Sequence, residues 1–338
     1  AFALDAVGKT PKGYNRLHVD LNRNGDLTDD KPFATKDIEN EASANQTTSQ
    51  STFDGIKVPI ERDGVKADHV FGMFVHYMEL PQFSRTTVQM RSLVYREGEI
   101  RHGGRKIRVL LLDQNSNGLF DDRVSFRNAS SYLRISYGDL LLINPKLRGS
   151  RSAMSTGQDA HFVNKTVCVG NTFYKLDISP LGESVKFEPT ELAVGYVSNR
   201  GSVYRAVVCC DDFGVMEIAG TRNQKIVLPA GKWQIASYTL GVSGGDATIV
   251  SASFAGKPSE VDVEKGGTTE LPFGPPFRAV VTAARAEGGK LGLSLSVVGQ
   301  GGERCSNFLV GGKRPPAPLF EVRDASGKVV YSGKFEYG

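Results

Sequence analysis

Short runs in which every second residue is apolar, each closed by a glycine-bearing turn, recur along the chain, and this limits the fold more than any other feature. Successive side chains of a strand leave the backbone on opposite faces, so period-two alternation marks a half-buried strand. "TTVQMRSLVYREGEIRHGGRKIRVLLLD" (86–113) puts Val88, Met90 and Val94 on one face and turns at Gly103-Gly104. "HFVNKTVCVGNTFYKLDIS" (161–179) turns at Gly170-Asn171. "FRAVVTAARAEGGKLGLSLSVVG" (277–299) alternates Leu291, Leu293, Leu295 and Val297 after a turn at Gly288-Gly289, and "LFEVRDASGKVVYSGKFEYG" (319–338) turns across Asp324 to Gly327. With 38 glycines in 338 residues and few segments of helical period, the chain is expected to be all-β. Its length suits two mostly antiparallel β domains, 1–185 and 186–338. The strands after 225, including Trp233 as a core residue, suit an immunoglobulin-like sandwich in the second domain. "KLRGSRSAMSTGQDA" (146–160) loses periodicity and reads as a surface loop or linker.

Two of the strands end in the same acidic pattern. "LHVDLNRNGDLTDDKPF" (17–33) and "RVLLLDQNSNGLFDDRVSF" (108–126) each run from an apolar strand into D-x-N-x-N-G and an Asp pair. Oxygens at loop positions one, three and five, a glycine at six and a backbone carbonyl at seven are what a Ca²⁺ loop requires. The candidate ligands are Asp20, Asn22, Asn24, the Asp26 carbonyl and Asp29 or Asp30, and in the second copy Asp113, Asn115, Asn117, the Leu119 carbonyl and Asp121 or Asp122. Position twelve, where an EF-hand places a bidentate Glu, is Lys31 or Val124, so the Asp pair has to close the shell early. A turn capped by its own Asn and Asp side chains is the competing reading. "LLLINPKLRG" (140–149) is a relative at most, because Asn144, Lys146 and Arg148 stand at the ligand places.

These shortened loops resemble the calcium loops of dockerin and thrombospondin-type repeats, although strands replace the flanking helices. Together with the C-terminal strands they resemble exported bacterial proteins that join calcium-type Asp/Asn loops to a C-terminal immunoglobulin-like β-sandwich. The resemblance implies Ca²⁺ and secretion; it implies no activity.

The composition, 40% hydrophobic and 23% charged, fits a folded globular chain, and a net charge of +4 gives no reason to expect a nucleic-acid partner. The basic cluster Arg101, His102, Arg105, Lys106 and Arg108 lacks interleaved aromatics and reads as a solvated face. No apolar run reaches the roughly 20 residues of a membrane span. The chain begins at Ala1, as a processed or truncated product would, which agrees with removal of an export signal. Asn45, Asn128 and Asn164 each open a glycosylation triplet. Cys168, Cys209, Cys210 and Cys305 lack metal or redox spacing, leaving buried thiols or one disulfide; on a strand Cys209 and Cys210 face opposite ways.

Catalytic motifs are poor. "GVSGG" (241–245) spells the hydrolase elbow around Ser243 but leads into strand-like sequence instead of a helix, and "DFG" (212–214) stands without the other kinase motifs. His18, His69, His76, His102 and His161 show no ligand spacing. Paired glycosidase carboxylates leave no trace in sequence distance. The sequence therefore points to an extracellular or cell-surface, calcium-stabilised structural or adhesive protein without catalytic activity. Its expected partners are its own copies, other surface proteins or polysaccharide; the alternative is a polysaccharide-directed hydrolase or binding protein with structural calcium.

Overall fold

The computed structural model describes residues 1–8, 12–35, 37–43, 45–129, 132–145, 159–201, 203–241, 248–254, 259–285 and 290–337, apart from the side chains of 128, 129 and 132. Among these residues every regular element is a strand. Pairing is antiparallel except where Val194–Ser198 runs beside Thr268–Glu270, so the protein is all-β as the alternation requires. No helix among the described residues is long and apolar enough to cross a membrane. Ser243, the Gly288-Gly289 turn, most of the expected linker and the ligand places Lys146 and Arg148 lie outside the described residues.

The chain forms two compact units. The first comprises Ala1–Arg123, Tyr137–Val163 and Lys175–Glu188, and the second Val124–Ser136, Asn164–Tyr174 and Pro189–Gly338. One cut after residue 185 was expected; besides the main change of unit at 188/189, two short earlier segments belong to the second unit.

In the first unit, a four-stranded sheet runs in the order Ile38–Ala42, Thr47–Arg62, Val65–Leu80, Phe83–Ser92. Asp63-Gly64, with φ of 52° and 78°, makes the tight turn between the two long strands, because both central residues of such a hairpin must be left-handed. Phe71, Met73 and Val75 alternate inward and pack with Phe53, Ile56 and Leu17. Each such side chain, fully buried, contributes roughly 1.5–3 kcal/mol. The run expected to carry Val88, Met90 and Val94 on one face is broken at Leu93-Val94. There the Leu93 amide still reaches Val70 O (2.9 Å), and Tyr95–His102 starts a second sheet. That sheet has the order Ala160–Phe162, Leu140–Ile143, Arg105–Leu112, Tyr95–His102. Val109, Leu110 and Leu111 are buried in succession, as a strand covered on both faces requires. The Gly103-Gly104 turn is present, and Lys106 and Arg108 pair with Glu99 and Glu97 on the hairpin surface.

In the second unit, the long sheet has the order Gly214–Thr221, Val203–Cys210, Gly231–Leu240, Thr248–Ser253, Arg304–Val310, Leu291–Val298, Arg278–Arg285, with Ser259–Val263 also on Gly231–Leu240. Its inner face buries Tyr204, Trp233, Ile235, Tyr238 and Phe273. The Trp233 Nε1 hydrogen goes to Pro229 O (2.9 Å), which removes the cost of burying the indole N–H. All four cysteines are free thiols, and Cys210 joins this core while Cys209, also buried, does not. Asp212 lies in the turn between two strands, so "DFG" is a turn. Two buried asparagines pin loops: Asn164 Nδ2 donates to Phe213 O and Val215 O (2.8 and 3.0 Å), and Asn199 Nδ2 to Leu271 O and Phe273 O (3.0 and 3.1 Å). With its amide consumed inside, Asn164 is not a glycan acceptor in the folded chain, whereas Asn45 is exposed.

Candidate functional site

Each acidic loop begins where a strand delivers its last residue, Arg16–Val19 before Asp20 and Arg105–Leu112 before Asp113. The two loops have the same backbone. Positions four and six are left-handed in both, Arg23 and Gly25 at φ 61° and 84°, Ser116 and Gly118 at 60° and 86°. The first Asp caps the turn from inside. Asp20 accepts the amides of Asn24 and Gly25 (both 3.1 Å), and Asp113 those of Asn117 and Gly118 (3.2 and 2.9 Å). The next oxygens follow suit: Asn22 and Asn115 accept the amide at position five (3.0 and 3.2 Å). Asn24 and Asn117 accept those of Asp26 and Leu119 at position seven (2.7 and 2.8 Å).

Within each Asp pair the structure separates the roles. Asp29 Oδ2 takes Nδ2 hydrogens from Asn22 and Asn24 (3.0 and 2.6 Å), and Asp122 Oδ2 takes them from Asn115 and Asn117 (3.1 and 2.6 Å). Both carboxylates stand at position ten, so position ten closes the loop. Asp30 turns back to accept the Leu21 amide (3.1 Å). Asp121 takes no part in the clasp; burial foremost, then the Asp122 charge, raises its carboxyl above the ordinary range. The Asp26 carboxyl is held low by the Thr28 hydroxyl and amide.

The second loop recruits a residue that the motif does not contain. Arg123 replaces Asp30 at position eleven, and the position-two amide, Gln114, donates instead to Asp139 Oδ1 (3.2 Å). Asp139 Oδ2 accepts the Asp122 amide (2.9 Å), and the Asp139 amide returns to Asp122 O (2.8 Å). Asp139 is fully buried, and burial, with the charges of Asp122 and Asp113, pushes its carboxyl up to about 7. His69 is the other unanticipated member, with Nε2 3.2 Å from Asp113 Oδ2 and 2.7 Å from Ser92 Oγ.

Ser92, His69 and Asp113 are residue types of a hydrolase triad, but the bonding is not. Ser92 Oγ donates to Val94 O (3.2 Å) and so receives the imidazole hydrogen. A nucleophile would do the reverse, and the orienting Asp would meet the other ring nitrogen. A groove of about 290 Å³ carries Glu97, Glu99 and Glu183, yet Arg108 holds Glu97 below its ordinary range, opposite to a general acid.

The side chains that each loop gathers, two carboxylates and two amides, offer oxygen and no sulfur or imidazole, which suits Ca²⁺ and not a soft metal. With the Asn Nδ2 groups on the position-ten carboxylate, each loop is closed by itself. For an amide to present Oδ1 to a cation by a half-turn, it would have to give up the backbone amide that its Oδ1 accepts. No protein-family model matches the chain, and neither curated proteins nor solved structures gave a match.

Proposed function

We propose that the chain is a calcium-stabilised β protein with a structural or adhesive role at the cell surface or outside the cell, not a catalyst. The observation that carries this reading is the repeated loop. Two segments 93 positions apart share their left-handed positions, their capping bonds and the carboxylate that closes on both asparagines. Each set offers two carboxylates and neutral amides at three and five. Affinity follows ligand charge, which places such a site nearer the roughly 10⁻⁴–10⁻³ M of extracellular modules than the tighter cytosolic range. The second unit we read as an immunoglobulin-like sandwich, supported by its antiparallel sheet and the buried Trp233.

The amide–carboxylate clasp favours one other reading, in which the loops are self-sufficient turns. Calorimetric titration of the chelator-stripped chain with calcium separates the two. Heat corresponding to two sites, with magnesium substituting poorly, is expected; no heat through the millimolar range rejects the calcium reading.

A further inference from the structure

We propose that copies of the chain join by strand addition, the acidic edge strand Ile38–Ala42 of one copy pairing with the edge strand Arg278–Arg285 of another. This rests on the structural or adhesive reading above and names the two surfaces. Arg278–Arg285 ends the long sheet of the second unit. All eight of its residues are exposed, Val281 by 54%. It pairs with Leu291–Val298 in unbroken register, and that ribbon is tied to Arg304–Val310 at one position, Val298 with Arg304. Edge strands are ordinarily blunted by charged side chains, proline, a bulge or brevity; "RAVVTAAR" has no proline and no bulge, and its two charges stand at its ends, with six uncharged residues between them.

Its surroundings select the charge of the partner. Arg278, Arg304 and Arg314 line a groove of about 440 Å³ with Phe277, Phe308 and Tyr337. None of the three arginines has a carboxylate partner among the described residues; Arg314 lies 5.5 Å over the Tyr337 ring. The complement is present in the first unit. Ile38–Ala42, "IENEA", ends its sheet, pairing among the described residues only with Thr47–Ser51. Asp37, Glu39 and Glu41 are exposed there without cation partners among the described residues. Alternate residues of a strand share a face about 7 Å apart, so the acids form a row. Backbone pairing supplies the affinity of such a contact, and the charges choose the partner. Because the two surfaces differ, the joined pair keeps one free edge of each kind, and association continues.

Light scattering of the full chain, from micromolar to hundreds of micromolar and in both calcium and chelator, tests this. Mass is expected to rise with concentration. The pair R278E/R304E and the pair E39K/E41K should each weaken association by about tenfold or more, while an equimolar mixture of the two variants restores it, because each copy then meets a complementary edge. Wild type that stays monomeric throughout, or variants that associate as wild type does, would overturn the proposal. So would variants that melt lower with no change in mass, which would mean pairing within one chain. Monomers that nevertheless bind calcium would sink this contact and leave the calcium reading standing. Association with no calcium heat would do the opposite.

Discussion

The two acidic loops are the same device in two settings. At the first, Asn22, Arg23, Asn24 and Gly25 are exposed; at the second, Asp113, Ser116 and Gly118 are buried. The first is finished by its own Asp30, eleventh in the motif, and the second by Asp139, which arrives from the start of another strand. Local sequence thus sets the shape of a loop, while the surroundings set what a defect in it costs. An unmade hydrogen bond on the surface is replaced by water; a buried one is not.

The widest gap between the loops is expected for their first aspartates. Asp113→Ala strips the buried Gly118 amide of its acceptor, removes the carboxylate beside the His69 ring and should cost about 3–5 kcal/mol. The Asp20 carboxylate is also largely covered, but the Asn24 and Gly25 amides that it caps are exposed and can turn to water, so Asp20→Ala should cost about 1 kcal/mol. Urea melts in chelator measure both, and equal losses would break the comparison.

Next in size is a pH effect that belongs to the buried loop. In the folded protein Asp139 keeps its proton to about pH 7, and unfolded it gives the proton up near the ordinary 3.8. Between those values the folded state binds more protons. The contribution of Asp139 to stability is therefore greatest at low pH and falls as pH rises from about 4 to about 7, by up to about 4 kcal/mol. Urea melts across this range in chelator should show the slope. Asp139→Asn lowers the overall level, since its Nδ2 must face an N–H, but should flatten the slope; a slope unchanged by it contradicts the assignment.

Glycine substitution at position six should separate the loops by less. A Cβ at Gly25 meets open space, so Gly25→Ala carries only the left-handed strain of about 1 kcal/mol. A Cβ at Gly118 would lie 2.9 Å from Ile60 Cγ1, adding overpacking of about 1–3 kcal/mol. Thermal melts of the two variants that coincide would show that Ile60 yields freely. The smallest effect is Asp30→Ala, which unpairs one half-buried Leu21 amide and should cost about 1 kcal/mol or less by urea melt.

What the sequence made legible follows the same division. The loops were readable because their capping bonds span at most five residues and D-x-N-x-N-G dictates them. The turns at Gly103-Gly104, Gly170-Asn171 and Asp324–Gly327 were readable because left-handed positions call for Gly, Asn or Asp. Asp139 and His69 were not, since each meets the second loop only after strands far apart in the chain have paired, and nothing in "YGDLLLI" or "KADHVFG" marks that meeting. The choice of Asp29 and Asp122 within their pairs was equally hidden, because it depends on which carboxylate the folded turn aims at the amides.

The most direct test compares melting of the intact chain in excess calcium and in chelator. At about ten times the dissociation constant, a cation bound only to the folded form adds about 1.4 kcal/mol per site. For a domain of this size that is about 3–6 °C per loop. The expected result is a higher melting temperature in calcium, a smaller rise in Asp20→Ala, and no comparable rise in magnesium. Coincident curves in calcium and in chelator would contradict the account and leave both loops as turns held by their own side chains.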